Sequence, residues 1–305
     1  MTRSSTSYVW AASMLSPNGR CRALDAAADG YVRGETVICI ALTKLDQAAA
    51  CTSAAVLVIR GSAVNQDGRS SSLTAPNGPA QQEVLHAALA AGNQNPASVA
   101  ALSMHGTGTS LGDPIEVGAA MAVYASGTAR SIPLAMAASK SWVGHAEPAA
   151  GLVGLLFACR AATLHQALSL MHLRTVNSYV ASTLEQSTAG TAALPKHAGP
   201  LPLATTTMEV LCGVSAFAFQ GTNTHALVQA VVSRDSLQRP AQATMWQRRH
   251  HHVLPEQHLL AAHVAVVGKG GNQHIVFETN LQCAALAFLW DHRVIGKCIF
   301  PGAVC

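Results

Sequence analysis

Apolar positions along this chain fall into short runs and into longer stretches with helical spacing. Val99–Met104, Pro133–Ala138, Glu209–Phe217 and Thr224–Val232 are short runs bounded by turn residues, the pattern of buried strands. Val37–Leu42 and Ala55–Arg60 have the same texture and are expected as strands too. Ile115, Val117, Ala120, Met121 and Tyr124 recur at helical spacing behind Pro114. Val84, Leu85, Ala88 and Leu89 do so between Pro79, suited to a first helical turn, and Gly92. Ala149–Leu164 predicts a long apolar helix in which Gly151 and Gly154 permit close packing. Thr183–Leu203 predicts a surface loop, Phe219–Asn223 a turn, Ser233–Met245 a polar linker and Ile275–Glu278 a short strand. Strands alternating with helices predict an α/β layered domain.

Composition narrows this picture. The chain has 305 residues, 50% hydrophobic and 11% charged, enough for one packed domain or two. Few aromatics and many alanines suit helices packed closely on a sheet. A net charge of +4, scattered along the chain, excludes a nucleic-acid footprint. The basic run Arg248–His252 reads as a solvated linker. None of the eight cysteines forms a C-x-x-C pair, so no disulfide framework and no metal site are expected. That cysteine usage, with no apolar leader at the N-terminus, predicts a reducing, cytoplasmic location. Ala149–Ala158 stops at Arg160 and reads as a buried helix, so no membrane span is expected.

The stretch with most chemistry is His105-Gly106-Thr107-Gly108-Thr109-Ser110-Leu111-Gly112-Asp113-Pro114. It places a histidine at the end of a strand, on a Gly/Thr loop, ahead of a helix. Loops at strand ends are where α/β proteins carry reacting groups. Glycines let backbone approach a ligand, and threonine hydroxyls donate or accept. The spacing fits neither a dinucleotide fingerprint nor a P-loop, and no lysine follows. Taken alone, the loop is equally compatible with an ordinary turn bearing a surface histidine.

Four further stretches stand in order around it: Gly61–Gly68, Leu73–Pro79, Ser139–His145 and Gly213–Asn223. Together the five resemble the motifs of β-ketoacyl synthases, in particular the ketosynthase domains of type I polyketide synthases. Met14–Cys21 and Asp25–Glu35 resemble the ketosynthase segment downstream of its nucleophile. The resemblance implies a thiolase-like layered α-β-α-β-α fold over residues 1–232, of which this chain carries the C-terminal part. The N-terminal half is expected to be largely missing. The implied reaction is decarboxylative Claisen condensation of acyl and malonyl thioesters. His105 and His145 would stabilise the enolate oxygen, and Lys140 would organise the second histidine's surroundings. Thr107 and Thr109 would hold the pantetheine arm. Phe219 would gate the acyl site, and Asn223 joins these substrate-binding residues. No cofactor is implied to bind directly, because substrates arrive as phosphopantetheine thioesters on an acyl carrier protein. That carrier and other polyketide synthase domains are the implied partners.

Some positions depart from the family pattern. Thr36, Ala218 and Gln220 stand where glycine or small residues are usual. Alanine at 218 would be strained by about 1–2 kcal/mol if the loop needs positive φ there. No D-T-A-C-S-S-like turn is present, so the nucleophilic cysteine is expected outside this chain, and the chain alone is expected to be inactive.

After a linker at 233–252 the texture changes. His292, Gly296 and Pro301 reproduce the H-x3-G-x4-P spacing of polyketide dehydratases. That resemblance implies the start of a hot-dog dehydratase domain over 253–305, with His292 able to remove an α-proton. A buried histidine in an edge strand is the plain alternative. The whole chain thus reads as a polyketide synthase fragment. The alternative class is a non-catalytic module, derived from a ketosynthase, that binds acyl carriers or acts as a scaffold.

Overall fold

A computed structural model describes residues 9–45, 57–69, 75–125, 130, 132–187, 191–201 and 210–230, and the backbone of 263–267, 274–278, 293–294 and 297–298. The chain divides into two compact units, Thr6–Arg239 and Pro240–Cys305.

The first unit is built on strands β1 (Leu57–Gln66), β2 (Val99–Ser103), β3 (Leu134–Ala137), β5 (Ala192–Ala193), β7 (Leu211–Phe217) and β8 (Thr222–Ala230). They form one six-stranded mixed sheet in the order β1-β8-β7-β2-β3-β5. β1, β8 and β7 pair antiparallel, while β7, β2, β3 and β5 run parallel. Two short strands, β4 (Gln166–Ala167) and β6 (Gly199–Pro200), pair apart from it.

Helices α1 (Gly78–Ala91), α2 (Gly112–Tyr124), α3 (Lys140–Val143), α4 (Ala150–Leu164) and α5 (Ser178–Gln186) complete the unit. Asn77 starts α1: its side-chain oxygen accepts from the Ala80 N–H at 3.3 Å, satisfying one orphan donor of the first turn. The core has two parts. One joins α1, α2 and α5 to the sheet through large side chains such as Leu85, Tyr124, Leu102 and Leu134. The other joins α4 to the sheet through Ala158, Ala161, Ala162, Ala101 and Cys212. Small side chains there bring the helix close to the strands, as at Gly154, where an added Cβ would sit 3.3 Å from Ser103 Oγ. Among the described residues, Glu147–Leu164 is long and apolar enough to cross a membrane by length and composition. Its Val153, Ala158 and Ala162 are buried against the sheet.

Several expectations change. Val37–Leu42 is irregular, with Val37 94% exposed; a strand needs a neighbour to hydrogen-bond, and no described strand lies beside it. β1 runs on to Gln66, past the expected end at Arg60, with a register shift between Ile59 and Gly61. The expected loop 183–203 instead contains the end of α5 and the short strands β5 and β6. Asn223 belongs to β8, opposite Phe217, so the turn is shorter than expected.

In the second unit, β9 (His263–Val267) and β10 (His274–Glu278) pair antiparallel, as do β11 (Arg293–Val294) and β12 (Lys297–Cys298). His292 lies outside the described residues.

Three parallel neighbours, β7, β2 and β3, end at one edge of the sheet. They deliver Phe217, the His105 loop, and the Lys140–His145 segment to that edge. Parallel strands place ligand sites at such carboxyl ends.

Candidate active site

The His105 loop is held by buried charge. Gly106 has φ +43 and Gly108 φ +77, conformations that favour glycine. A Cβ on Gly106 would meet Ala138 Cβ at 2.5 Å. Glu116, on the first turns of α2, accepts the His105 N–H through Oε1 (2.6 Å) and the Gly106 N–H through Oε2 (2.8 Å). Asp113 accepts from Leu24 N–H (2.7 Å) and Gly108 N–H (3.1 Å). Lys140 Nζ donates to the His105 carbonyl at 2.5 Å. Burial pushes the Glu116 carboxyl up to about 7 and Asp113 up to about 6, against the pull of their backbone donors. Burial draws Lys140 down to about 8, opposed by Glu116.

His145 is held mostly by backbone. Its N–H donates to the Val32 carbonyl (2.7 Å), and its carbonyl accepts from Gly34 N–H (2.8 Å). The Glu147 N–H donates to His145 Nδ1 at 2.8 Å. On the other ring, Phe217 N–H donates to His105 Nδ1 at 3.2 Å, with Lys140 Nζ 3.5 Å away. Both Nδ1 atoms are therefore acceptors, which assigns the proton of each neutral ring to Nε2. Burial, then Lys140 and His145, keep His105 well below its usual value. Burial, then Lys140 and Arg33, lower His145 to about 3. At neutral pH both rings are uncharged N–H donors. Their centroids are 5.8 Å apart and the planes meet edge-on at 84°.

Both rings line one cavity of ≈ 160 Å³, with Tyr31, Thr107, Thr109, Phe217 and Phe219 on its walls. Thr107 and Thr109 hydroxyls stand 3.1 Å apart, and Thr109 Oγ1 also accepts from Gly112 N–H (3.2 Å). Phe219 is half exposed on the β7–β8 turn. The left-handed residue of that turn is Gly221, φ +88, so Ala218 does not carry the anticipated strain. Asn223 lines the cavity, but its amide N–H groups go to Asp67 (2.7 Å) and Asn65 (3.2 Å), bracing the ends of β1 and β8. Lys140 makes its hydrogen bonds to His105 and reaches His145 through charge alone.

Of the described cysteines, Cys21, Cys39, Cys159 and Cys212 are free, and none lines this cavity. Burial raises the Cys21 thiol to about 11 and Cys212 to about 12, which keeps both protonated. Among the described residues no group of three potential metal ligands converges.

Sequence reasoning missed Glu116, Asp113, Tyr31 and the Phe217 N–H. The first two had a signal: carboxylates on an otherwise apolar helix, just after the loop. Tyr31, whose ring centroid is 4.8 Å from that of His145, had none beyond its neighbours.

Comparison with known proteins defines the class. Residues 2–48 match the N-terminal domain and residues 56–173 the C-terminal domain of the β-ketoacyl synthases. These stretches are ketosynthase sequence, carried on a thiolase-like ketosynthase fold with a mixed α/β sheet. The particular relatives are polyketide synthases. The chain is 42% identical over 216 residues to a phenolphthiocerol/phthiocerol polyketide synthase of Mycobacterium tuberculosis, covering 71% of this chain and 10% of that protein. It is 39% identical over 218 residues to erythronolide synthase EryA2 of Saccharopolyspora erythraea, covering 70% and 6%. Among solved structures, the ketosynthase from module 6 of the bacillaene synthase of Bacillus subtilis 168 superposes with a TM-score of 0.67 at 27% identity. That match covers 76% of this chain and 41% of the solved one. The chain thus spans a tenth or less of the length of these curated relatives.

Proposed function

We propose that this site stabilises the enolate formed when a malonyl thioester loses carbon dioxide, as one part of a decarboxylative Claisen condensation in polyketide assembly. The observation that carries the reading is the matched state of His105 and His145: each ring is neutral, accepts a backbone N–H at Nδ1 and keeps Nε2–H for the shared cavity. Two such donors aimed at one oxygen form an oxyanion site. Lys140 holds the His105 peptide, and burial, with the Lys140 charge second, keeps both rings uncharged.

Thr107 and Thr109 offer hydroxyls to a pantetheine arm, and Phe219 stands where a gate to the acyl site would act. Asn223 braces that wall. The substrates are phosphopantetheine thioesters on an acyl carrier protein, with other polyketide synthase domains as neighbours in a cytoplasmic assembly. The covalent acyl step needs a thiolate that the described cysteines do not supply at the cavity. His292, on its H-x3-G-x4-P spacing alone, extends the reading to the start of a hot-dog dehydratase. That no described cysteine lines the cavity also favours a second reading, a non-catalytic module that binds acyl carriers.

The two readings separate in one assay. The chain is joined to a ketosynthase N-terminal segment bearing the nucleophile, and carbon dioxide release from a malonyl thioester is measured. His105→Ala and His145→Ala should each slow release by about 100- to 1000-fold, the effect of one lost oxyanion donor. Cysteine acylation, followed by mass, should be less affected. No carbon dioxide release from the completed parent, with acyl-carrier binding retained, supports the binding module, and release at the parent rate in both variants overturns the role given to the two histidines.

A further inference from the structure

Glu147 is a non-glycine residue at φ +49, a region that L-residues avoid. Pro148 follows it and disfavours the right-handed helical alternative. Conformations of this kind persist only where the surroundings impose them, and they gather at functional sites. Here the surroundings form a closed circuit. The Arg33 guanidinium contacts Glu147 Oε2 at 2.7 Å, with the arginine side chain 9% and the glutamate 32% exposed. Arg33 itself forms a bridge with His145, through the backbone hydrogen bonds of its neighbours Val32 and Gly34. The circuit closes where the Glu147 N–H meets His145 Nδ1 at 2.8 Å.

We infer that the Arg33–Glu147 ion pair is a positioning device for His145, holding residue 147 in the left-handed conformation whose amide fixes the Nε2–H tautomer of the imidazole. The N–H lies on the 146–147 peptide, and the φ of Glu147 sets how that peptide is oriented relative to the side chain that Arg33 holds and to Pro148 beyond it. The ion pair supplies the hold from the side-chain end, and the Arg33 bridge keeps the guanidinium in register with the ring it serves. Neither side chain needs to touch substrate, so both are positioning residues. The functional meaning rests on the reading that His145 donates through Nε2. The tautomer itself is independent of that reading.

The test needs no substrate. The full 305-residue chain is prepared with nitrogen-labelled histidine, and His145→Gln identifies the His145 signals among the 14 histidines. Long-range proton–nitrogen correlation spectra then report which ring nitrogen carries the proton. The parent should show a single Nε2–H form. Arg33→Gln and Glu147→Gln should each shift the tautomer ratio by about 10-fold towards Nδ1–H, the size of one lost hydrogen bond. Adding Glu147→Gly to Arg33→Gln should restore the parent pattern, because glycine adopts positive φ without the ion pair. A general structural role would predict no such rescue. If Arg33→Gln fails to fold, Glu147→Gln carries the test, since its side chain is partly exposed. An unchanged tautomer in Glu147→Gln, or a glycine double variant no better than Arg33→Gln, overturns the inference. Decarboxylation by the same variants is a separate readout. A shifted tautomer with unchanged carbon dioxide release leaves the positioning role intact and counts against the proposed function.

Discussion

His105 and His145 face one cavity, yet what holds them differs in kind. His105 sits on a glycine loop whose peptide groups are gripped by two buried carboxylates and a buried lysine. His145 sits between backbone partners from Val32, Gly34 and Glu147, with its ion pair at a partly exposed position. Buried charge grips strongly but depends on protonation, whereas backbone pairing does not titrate. The same chemistry is thus presented from one support of buried charge and one of backbone pairing with an ion pair at its rim.

The steepest contrast should come from alanine at the two loop glycines. Gly106→Ala brings a Cβ to 2.5 Å from Ala138 Cβ at positive φ. Strain and overpacking together should destabilise the fold by about 2–4 kcal/mol in denaturant unfolding. Gly144→Ala, at φ +74 and ψ −174 with its nearest contact, Val32 O, at 3.0 Å, enters a region essentially confined to glycine and should cost about 1–3 kcal/mol. Equal losses would mean that the two supports are equally rigid.

Glu116→Gln should separate the supports by pH. The folded carboxyl, near 7, lies above its ordinary value of 4.5, so the folded state retains a proton that the unfolded state releases between those values. The stability this proton brings is full below about pH 4.5 and lost as pH rises through about 7. Glutamine cannot titrate, so the parent's advantage over Glu116→Gln should shrink by about 2 kcal/mol from pH 5 to pH 8. His145 has the opposite sign: its folded value is depressed to about 3, so its contribution is lost as pH falls from 6.5 towards 3. Paired unfolding curves at the two pH values check this. A constant difference would show that Glu116 stays ionised throughout.

Thr109→Val should have the smallest effect. It removes the contact to Thr107 and the acceptor for Gly112 N–H, with a loss of about 1 kcal/mol in stability. The KM for a pantetheine thioester should rise a few-fold while kcat holds. A fall in kcat at constant KM would move Thr109 from binding to chemistry.

Much of this was legible in local pattern. β2, α2, β3, α4 and the β7–β8 pair follow from apolar periodicity, because each buries a face regular enough to leave a trace. What depends on a distant partner was not. Val37–Leu42 reads as a strand, but no described strand pairs with it. β5 and β6 are two residues long and exist only through their neighbours. At the site, five ordered motifs picked out His105, Lys140, His145 and the threonines. Asp113 and Glu116 stood inside or beside the same loop, and their place on an apolar helix marked them, but the N–H groups they accept from, on Leu24 and the loop itself, are brought to them only by the fold. The tautomers are set by backbone donors at 147 and 217, which no side-chain pattern encodes. Asn223 shows the converse: its motif points to substrate, while its amide braces two strands.

The most direct measurement is a double-mutant cycle on decarboxylation. Carbon dioxide release from a malonyl thioester is compared for the parent chain joined to its nucleophile-bearing segment, for His105→Ala, for His145→Ala and for the pair. If two Nε2–H donors serve one enolate oxygen, the double variant should be little slower than either single variant, because residues that act as a unit are not additive. Losses that multiply in the double variant, or single variants that decarboxylate at the parent rate, would contradict a shared oxygen between these imidazoles.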